Sequence, residues 1–181
     1  MSRGQVGTKT VVGGTVAGVV LASAVLMGFV QKWESGGTRG LTVYADRLAG
    51  GLPTVCDGLT KHVTDTPIIV GDVWTDEQCE AEERAAMVKH VQLPLINCLG
   101  RTPPQSVFDA LSSHAWNFGV NKTCGSVAAQ YARRGDYETA CERIPRNAAG
   151  KPVWSSAGGK FVRGLFNRRL DERKLCLRDV Q

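Results

Sequence analysis

Hydrophobic residues are unevenly distributed along the chain, with one long apolar block near the N-terminus. Residues 10–30 carry no charged side chain, and Arg3 and Lys9 precede them. A helix of 21 residues is about 30 Å long, which matches the hydrocarbon thickness of a bilayer. Because basic residues are retained in the cytoplasm, the pattern predicts a membrane-inserted signal anchor with its N-terminus inside.

The composition of this block leaves other interpretations open. Gly, Ala, Thr and Ser dilute its Val and Leu residues, so insertion is weakly favoured and release is feasible. Ala22-Ser23-Ala24 has the form of a signal-peptidase site, which would be cleaved after Ala24. A buried core helix is the third interpretation, although the block shows no amphipathic stripe. We favour a releasable anchor over residues 1–30, with the folded domain at 31–181.

The hydrophobic period changes twice after the block. Residues 34–73 are rich in glycine and contain short β-type runs, which predicts a small antiparallel β lobe. Thr75 to Gln78 form a capping box that opens a charged connecting helix over about 75–92, with Pro94 as its predicted stop.

Helical patterns then follow one another from residue 95 to 177. Breaks at Pro103-Pro104, Gly119, Gly135 and Pro145 separate them. The last helix places Arg168 and Arg169 on a basic face, which is either solvated or paired with acids between the lobes. The fold class is therefore α+β, with a small β lobe, a long connecting helix, an all-α lobe and an N-terminal transmembrane helix.

Charge and composition narrow the functional class. The 181 residues are 43% hydrophobic, which excludes a disordered chain. Lys and Arg number 22 against 17 Asp and Glu, a net charge of +5. This mild excess suits an anionic polymer such as a cell wall and gives no nucleic-acid signature.

All six cysteines follow the apolar block, an arrangement typical of disulfides in an oxidising compartment such as the periplasm. Six cysteines allow 15 pairings. Helices that fold back as a hairpin favour Cys124–Cys141, and elimination then gives Cys56–Cys79 and Cys98–Cys176. Because the sequence has no CxxC pair and no matching histidine spacing, we expect neither a metal site nor a cofactor.

Two carboxylic acids are candidates for acid–base chemistry. Glu34 follows Trp33 and an apolar segment, so we expect desolvation to raise its pKa, whereas Asp46 lies beside Arg47 and should stay ionised. Two carboxyl groups in contrasting environments are what glycoside hydrolysis requires. The chain has no G-x-S-x-G motif that would indicate a serine hydrolase.

An ordered set of motifs extends this interpretation. The runs are WES, LTVYADRLAGGLPTVCDGLT, SHAWNFG and GLFNRRLDERKLC, within residues 33–177. Together they resemble the phage-type lysozymes, the muramidases of glycoside hydrolase family 24. With the weakly apolar N-terminal block, the chain resembles a signal-anchor-release endolysin, and the resemblance implies a lysozyme-like fold.

The resemblance also implies roles for individual residues. Glu34 would be the general acid, Asp46 the carboxylate that activates water, and Thr54 a residue that positions this water. The steps from Glu34 to Asp46 and from Asp46 to Thr54 are longer than in the family pattern. The implied partners are the peptidoglycan strand and, through residues 10–30, the inner membrane, with the protein acting as a monomer. A lytic transglycosylase and a non-catalytic wall-binding protein are the alternatives.

Overall fold

The computed structural model describes residues 14–16, 18–47 and 50–180 of the chain. The strands and helices follow one another along the chain in the order β1 Thr15–Val16, β2 Val19–Val20, α1 Ala24–Ser35, β3 Gly40–Asp46, β4 Leu52–Cys56, α2 Asp76–Ala86, a π-helical segment Met87–Gln92, α3 Leu93–Leu99, α4 Gln105–Phe118, α5 Val120–Cys124, α6 Val127–Arg134, α7 Tyr137–Glu142, β5 Ser156–Ala157, β6 Lys160–Phe161, α8 Arg163–Cys176 and a 3₁₀ turn Leu177–Asp179.

A β-hairpin forms the centre of the small lobe. Strands β3 and β4 pair antiparallel, with Asp46 opposite Leu52 and Tyr44 opposite Thr54. Directly opposed residues point to the same face of a sheet, and this face repeats every second residue. The side chains of Asp46 and Thr54 therefore lie on one face of the hairpin.

One continuous helical rod joins the lobes and is longer than the sequence predicts. It consists of α2, the π-helical segment and α3, residues 76–99. Thr75 caps α2 with both halves of the predicted capping box. Pro94 does not end the rod, because the helix widens into the π-helical segment and the N–H of Leu93 reaches back to the carbonyl of Val88. This local change of period lets the proline, which has no N–H to donate, enter α3 at its start.

The α lobe is built around α4, which packs most extensively against α8. Its core contains Val107, Phe108, Ala110 and Leu111 of α4, all of them buried. The predicted helix after Pro103-Pro104 is thus confirmed, and Gly119 ends it. The antiparallel β-lobe and all-α-lobe parts of the predicted fold class match this architecture.

The end of the apolar N-terminal block is packed into the body of the protein. Val19 and Leu21 join the core of the α lobe, while Leu26, Met27 and Val30 of α1 pack against the rod and α4. Residues 1–13 and 17 of the predicted anchor lie outside the described residues. Across the part of the chain that the structure describes, no helix has the length and apolar character required to cross a bilayer. The boundary predicted between residues 30 and 31 falls inside α1.

Three disulfides connect the described elements, and two differ from the sequence prediction. Cys56–Cys79 is present as predicted. Cys98 bonds Cys124, and Cys141 bonds Cys176, so the predicted pairs Cys124–Cys141 and Cys98–Cys176 are wrong. The physical reason is that the rod continues past Pro94 and carries Cys98 to α5, while α7 packs on α8.

Candidate active site

Glu34 lies in the last turn of α1, in the helix that joins the N-terminal segment to the β lobe and not in the β lobe itself. Gly36 ends this helix in the left-handed conformation, with a φ of 64° that a glycine adopts without strain. The Glu34 side chain keeps 27% of its surface exposed, so it is accessible from solvent.

A buried arginine is the partner of this carboxylate. Arg168 of α8 donates a hydrogen bond from Nη1 to Oε1 of Glu34 at 2.7 Å, and its own side chain is only 4% exposed. The sequence suggested an apolar setting for Glu34, and the structure instead places a cation beside it. The alternative that Arg168 pairs with an acid between the lobes is confirmed.

A second layer of charges holds Arg168 in place. Glu172 accepts hydrogen bonds at its Oε1 from Arg169 Nη2 and from Ser113 Oγ, both at 2.7 Å. The Nε of Arg168 lies 3.5 Å from the same oxygen. Arg169 and Glu172 are fully buried. Because a buried charge is tolerated only when it is paired, this cluster fixes the position of Arg168.

His114 lies beside this cluster and is a structural residue. Its Nδ1 is 2.8 Å from Oγ1 of Thr123, and its ring packs edge-on against Trp154. Burial, reinforced by Arg169 and Arg168, holds the pKa of His114 well below its usual value. The imidazole is therefore neutral and is not a candidate acid for the reaction.

Asp46 and Thr54 occupy the hairpin. Thr54 is buried, and its Oγ1 donates to the carbonyl of Leu52 at 3.1 Å. Asp46 is partly buried at the end of β3, where its carbonyl accepts the N–H of Gly51 at 2.7 Å. Their positions on paired strands make them diagonal neighbours, roughly 7–8 Å apart in such a register.

A cleft of about 410 Å³ lies between the lobes. Residues from α1, the β4 loop, the rod and the end of α4 line it; they include Glu34, Asp57, His90, Trp116 and Asn117. Asp46 and Thr54 are not lining residues of this cleft. The structure thus brings Asp46 and Thr54 together on the hairpin and places Glu34 in the cleft with a different acid, Asp57.

Asp57 belongs to a charged cluster that we did not predict from the sequence. Arg39 lies among three acids, two of them buried: its Nη2 is 3.0 Å from Oε2 of Glu83 and its Nε is 3.6 Å from Oδ2 of Asp57, while its Nη1 is 3.7 Å from the exposed Asp76. Burial raises the pKa of Glu83 to about 7; the charge of Asp57 adds to this effect, while the N–H of Asp57 and the charge of Arg39 oppose it.

The sequence carried only a weak signal for this cluster. Asp57 and Asn117 both lie in motifs that support the family resemblance, TVCDGLT and SHAWNFG. Their burial and their common cleft depend on tertiary packing, which the motifs do not specify. Among the described residues, no group of three or more His, Cys, Asp or Glu side chains could hold a metal ion.

Comparisons with known proteins agree with the fold. Residues 33–172 match the family model described as phage lysozyme. The SAR-endolysin of Enterobacteria phage P21 is 30% identical over 130 residues, which cover 70% of each chain. Among solved structures, a variant of P22 lysozyme has a TM-score of 0.69 at 25% identity and covers 86% of this chain and 97% of its own.

A second solved structure has the same fold. The endolysin of Escherichia coli O157:H7 phage FAHEc1 has a TM-score of 0.66 at 23% identity, covering 93% of this chain and 98% of its own. The family model spans more than three quarters of the chain and includes both Glu34 and Arg168. The chain belongs to the phage lysozyme family.

Proposed function

We propose that the protein is an endolysin, a muramidase that hydrolyses the β-1,4 bond between N-acetylmuramic acid and N-acetylglucosamine in peptidoglycan and thereby lyses the host cell. The observation that carries this proposal is the position of Glu34, which lines an open cleft and is paired with the buried Arg168. A solvent-accessible carboxyl held in one orientation is what a general acid needs to reach a glycosidic oxygen.

The proposed reaction uses three residues. Glu34 donates its proton to the oxygen that leaves, and the carboxylate it becomes is stabilised by Arg168 at 2.7 Å. Asp46 activates the attacking water, and Thr54 positions it. An inverting reaction of this kind places a water between two carboxyl groups about 6.5–9.5 Å apart. The shared face of Asp46 and Thr54 on the hairpin supports their joint role.

Replacement of the acid tests the proposal. We expect Glu34→Gln to lower the rate of peptidoglycan hydrolysis by at least about 100-fold, because amide nitrogen cannot supply the proton. The purified variant should melt at a temperature close to that of the unmodified protein. Glu80→Gln is the matched control, since Glu80 is an exposed residue of α2 that pairs with Arg84. Full activity of Glu34→Gln would refute the assignment.

The reaction products separate the alternative activities. A hydrolase releases muropeptides with reducing ends, whereas a lytic transglycosylase releases 1,6-anhydro ends, and mass spectrometry distinguishes the two. A wall-binding protein without activity would release neither. Asp46→Asn and Thr54→Ala should each slow product formation without changing the product type.

We further infer that the protein has a membrane-tethered form at the periplasmic face of the inner membrane and is released from it as a monomer into the periplasm. The uncharged stretch of residues 10–30 and the name SAR-endolysin of the phage P21 relative support this inference. In the form that the structure describes, which we call the packed form, Leu26, Met27 and Val30 belong to the same helix as Glu34. Transfer of these residues to a bilayer would remove the packing that sets Glu34 beside Arg168.

N-terminal sequencing of the exported protein tests the tether. We expect the N-terminus to lie upstream of Thr10 in both the membrane fraction and the fraction released after depolarisation. Cleavage after Ala24 would instead give a chain that begins at Val25, and such a result would replace the anchor with a conventional signal peptide. Size-exclusion chromatography of the released protein measures its oligomeric state.

A further inference from the structure

The turn that carries Asp57 is held rigidly at the edge of the cleft. The N–H of Leu59 bonds the carbonyl of Val55 at 2.8 Å, and the N–H of Val55 returns a bond to Leu59 at 3.1 Å. Cys56 adopts a φ of 57°, unusual for a residue with a side chain, and its disulfide to Cys79 ties the turn to α2. A strained backbone conformation held by a covalent link is typical of functional sites.

The carboxylate of Asp57 is buried without the hydrogen bonds that a buried carboxylate needs. Its side chain is 2% exposed, and neither Oδ1 nor Oδ2 accepts a hydrogen bond from any residue that the structure describes. Arg39 approaches only to 3.6 Å and makes its closer contact with Glu83. Buried acceptors without donors are rare in native proteins, because each loses its bonds to water and gains nothing in return.

A second acceptor without a donor lines the same cleft. Oδ1 of Asn117, in the last turn of α4, is buried and accepts no hydrogen bond from the described residues. Asp57 and Asn117 belong to different lobes, and both are lining residues of the 410 Å³ cleft that also contains Glu34. Two residues that line the cleft together with Glu34 therefore carry three buried acceptor oxygens without donors.

The charges around Asp57 argue against a purely structural role. Glu83 accepts the N–H of Asp57 at 3.0 Å and shares Arg39 with it, so two carboxylates compete for one close cation. An uncharged residue at position 57 would remove this repulsion and leave the Arg39–Glu83 pair intact. A ligand that supplies the missing hydrogen-bond donors would give the negative charge of Asp57 a physical reason.

We propose that Asp57 and Asn117 bind the glycan strand by accepting hydrogen bonds from the hydroxyl and amide N–H groups of a 2-acetamido sugar beside Glu34. This assignment rests on the proposed function, because it takes the ligand of the cleft to be a peptidoglycan strand. Such a sugar carries several hydroxyl donors and one amide donor, which match a site lined by acceptors. Asp57 and Asn117 are binding residues here, and the proton transfer stays with Glu34.

Binding and hydrolysis are measured in separate experiments. A negative result can then be assigned either to the sugar-binding proposal or to the proposed muramidase activity. Binding of the N-acetylglucosamine trimer is titrated by NMR in the Glu34→Gln background, where no bond is cleaved. We expect Asp57→Ala to weaken binding about tenfold or more and Asn117→Ala to weaken it less, because a hydrogen bond to a charged acceptor is the stronger of the two. In the hydrolytically active protein, Asp57→Ala should raise KM with little change in kcat.

The matched control is Asp65→Ala, which removes a 96% exposed acid of the same lobe and should leave binding unchanged. Asp57→Asn covers the case in which Asp57→Ala fails to fold: it is isosteric, relieves the repulsion with Glu83, and should still weaken binding through loss of the charge.

The binding measurements have clear contrary outcomes. Unchanged trimer affinity in folded Asp57→Asn and Asn117→Ala would overturn the proposal and leave the muramidase assignment intact. Weakened trimer binding by these variants, combined with no peptidoglycan hydrolysis by the unmodified protein, would instead support the sugar site and refute the proposed activity.

Discussion

At the scale of single residues, the pair formed by Glu34 and Arg168 sets the chemistry of the proposed reaction. A cation 2.7 Å from Oε1 stabilises the carboxylate that remains after proton transfer, and it also fixes the side chain in one orientation. Glu172 and Ser113 hold Arg168 on the side away from Glu34. The packing of α4 against α8 therefore sets the orientation of Glu34. A general acid positioned by a buried network loses little entropy when substrate enters the cleft.

Glu83 gives a pH-dependent prediction at the same scale. Burial raises its pKa to about 7 from a usual value of 4.5, so between these pH values the folded protein keeps a proton that the unfolded chain releases. The free energy of unfolding should therefore fall as the pH rises from about 4.5 to 7, by an amount on the order of 1–3 kcal/mol, and show no further contribution from Glu83 above pH 7.

Urea unfolding at several pH values measures this effect. Glu83→Gln cannot ionise, so the unfolding free energy of the unmodified protein should fall relative to that of the variant as the pH rises through this window. Glu80→Gln, on an exposed face of the same helix, should track the unmodified protein. A constant difference between pH 4 and pH 8 for Glu83→Gln would contradict the assignment.

The sequence indicates some residues of the candidate site and misses others for a physical reason. Glu34, Asp46 and Thr54 lie in short runs whose letters carry the family resemblance, so sequence alone makes them candidates. Asp57 lies in the same run, but its significance comes from burial without hydrogen bonds. This burial depends on α2, through the disulfide of Cys56, and therefore on long-range packing.

At the scale of elements, a set of polar side chains holds the N-terminal segment against the body. Gln92 accepts the N–H of Ala22 at 2.7 Å, and Gln105 bonds both the N–H and the carbonyl of Val20. Ser23 donates from Oγ to Asp109 at 2.7 Å. Burial raises the pKa of Asp109, and the hydrogen bonds from Ser23 and Gln105 oppose this rise.

Ser23 is the residue through which this docking can be tested. Its Oγ accepts the N–H of Leu26 as the N-cap of α1 and also donates to the buried Asp109. Ser23→Ala should lower the free energy of unfolding by about 1–3 kcal/mol, because α1 loses its cap and Asp109 loses a donor. Thermal or urea denaturation measures the loss.

The matched control for this substitution is Ser156→Ala, which changes an exposed serine of β5 and should have an effect within about 0.5 kcal/mol. Equal stabilities of Ser23→Ala and Ser156→Ala would mean that the cap and the bond to Asp109 contribute nothing. The alternative role of Ser23, in a signal-peptidase site, does not predict any change in the stability of the packed form.

The rod illustrates why element boundaries were predicted less well than element types. A proline removes one hydrogen bond from an α-helix and usually ends it, so Pro94 was a sound stop signal. The bond from Leu93 N–H to the Val88 carbonyl replaces the regular pattern, and the chain stays helical to Leu99. This extension also placed Cys98 beside Cys124 and overturned the predicted disulfides.

At the scale of the whole molecule, the proposed membrane anchor and the cores of the packed protein draw on the same segment. Residues 19–30 are apolar enough to contribute to a membrane anchor, yet Val19, Leu21 and Leu26 are buried in the cores of the packed form. The gain from burying these side chains, about 25 cal/mol per Å² of apolar surface, is available in either environment. The polar contacts to Gln92, Gln105 and Asp109 exist only in the packed form and favour it over a bilayer.

Two truncations of the purified, oxidised protein separate these contributions. Removal of residues 1–18 leaves α1, Ser23 and all the core side chains from Val19 onward. We therefore expect this shortened protein to hydrolyse peptidoglycan and to have a melting temperature close to that of the full chain.

Removal of residues 1–30 deletes the first seven residues of α1 and with them the buried Leu26. One buried leucine alone contributes about 2–5 kcal/mol, so this protein should be strongly destabilised and inactive, although it retains Glu34. If the chain lacking residues 1–30 were as stable and active as the one lacking residues 1–18, the N-terminal segment would be a tether only, and the position of Glu34 would depend on the remainder of the fold.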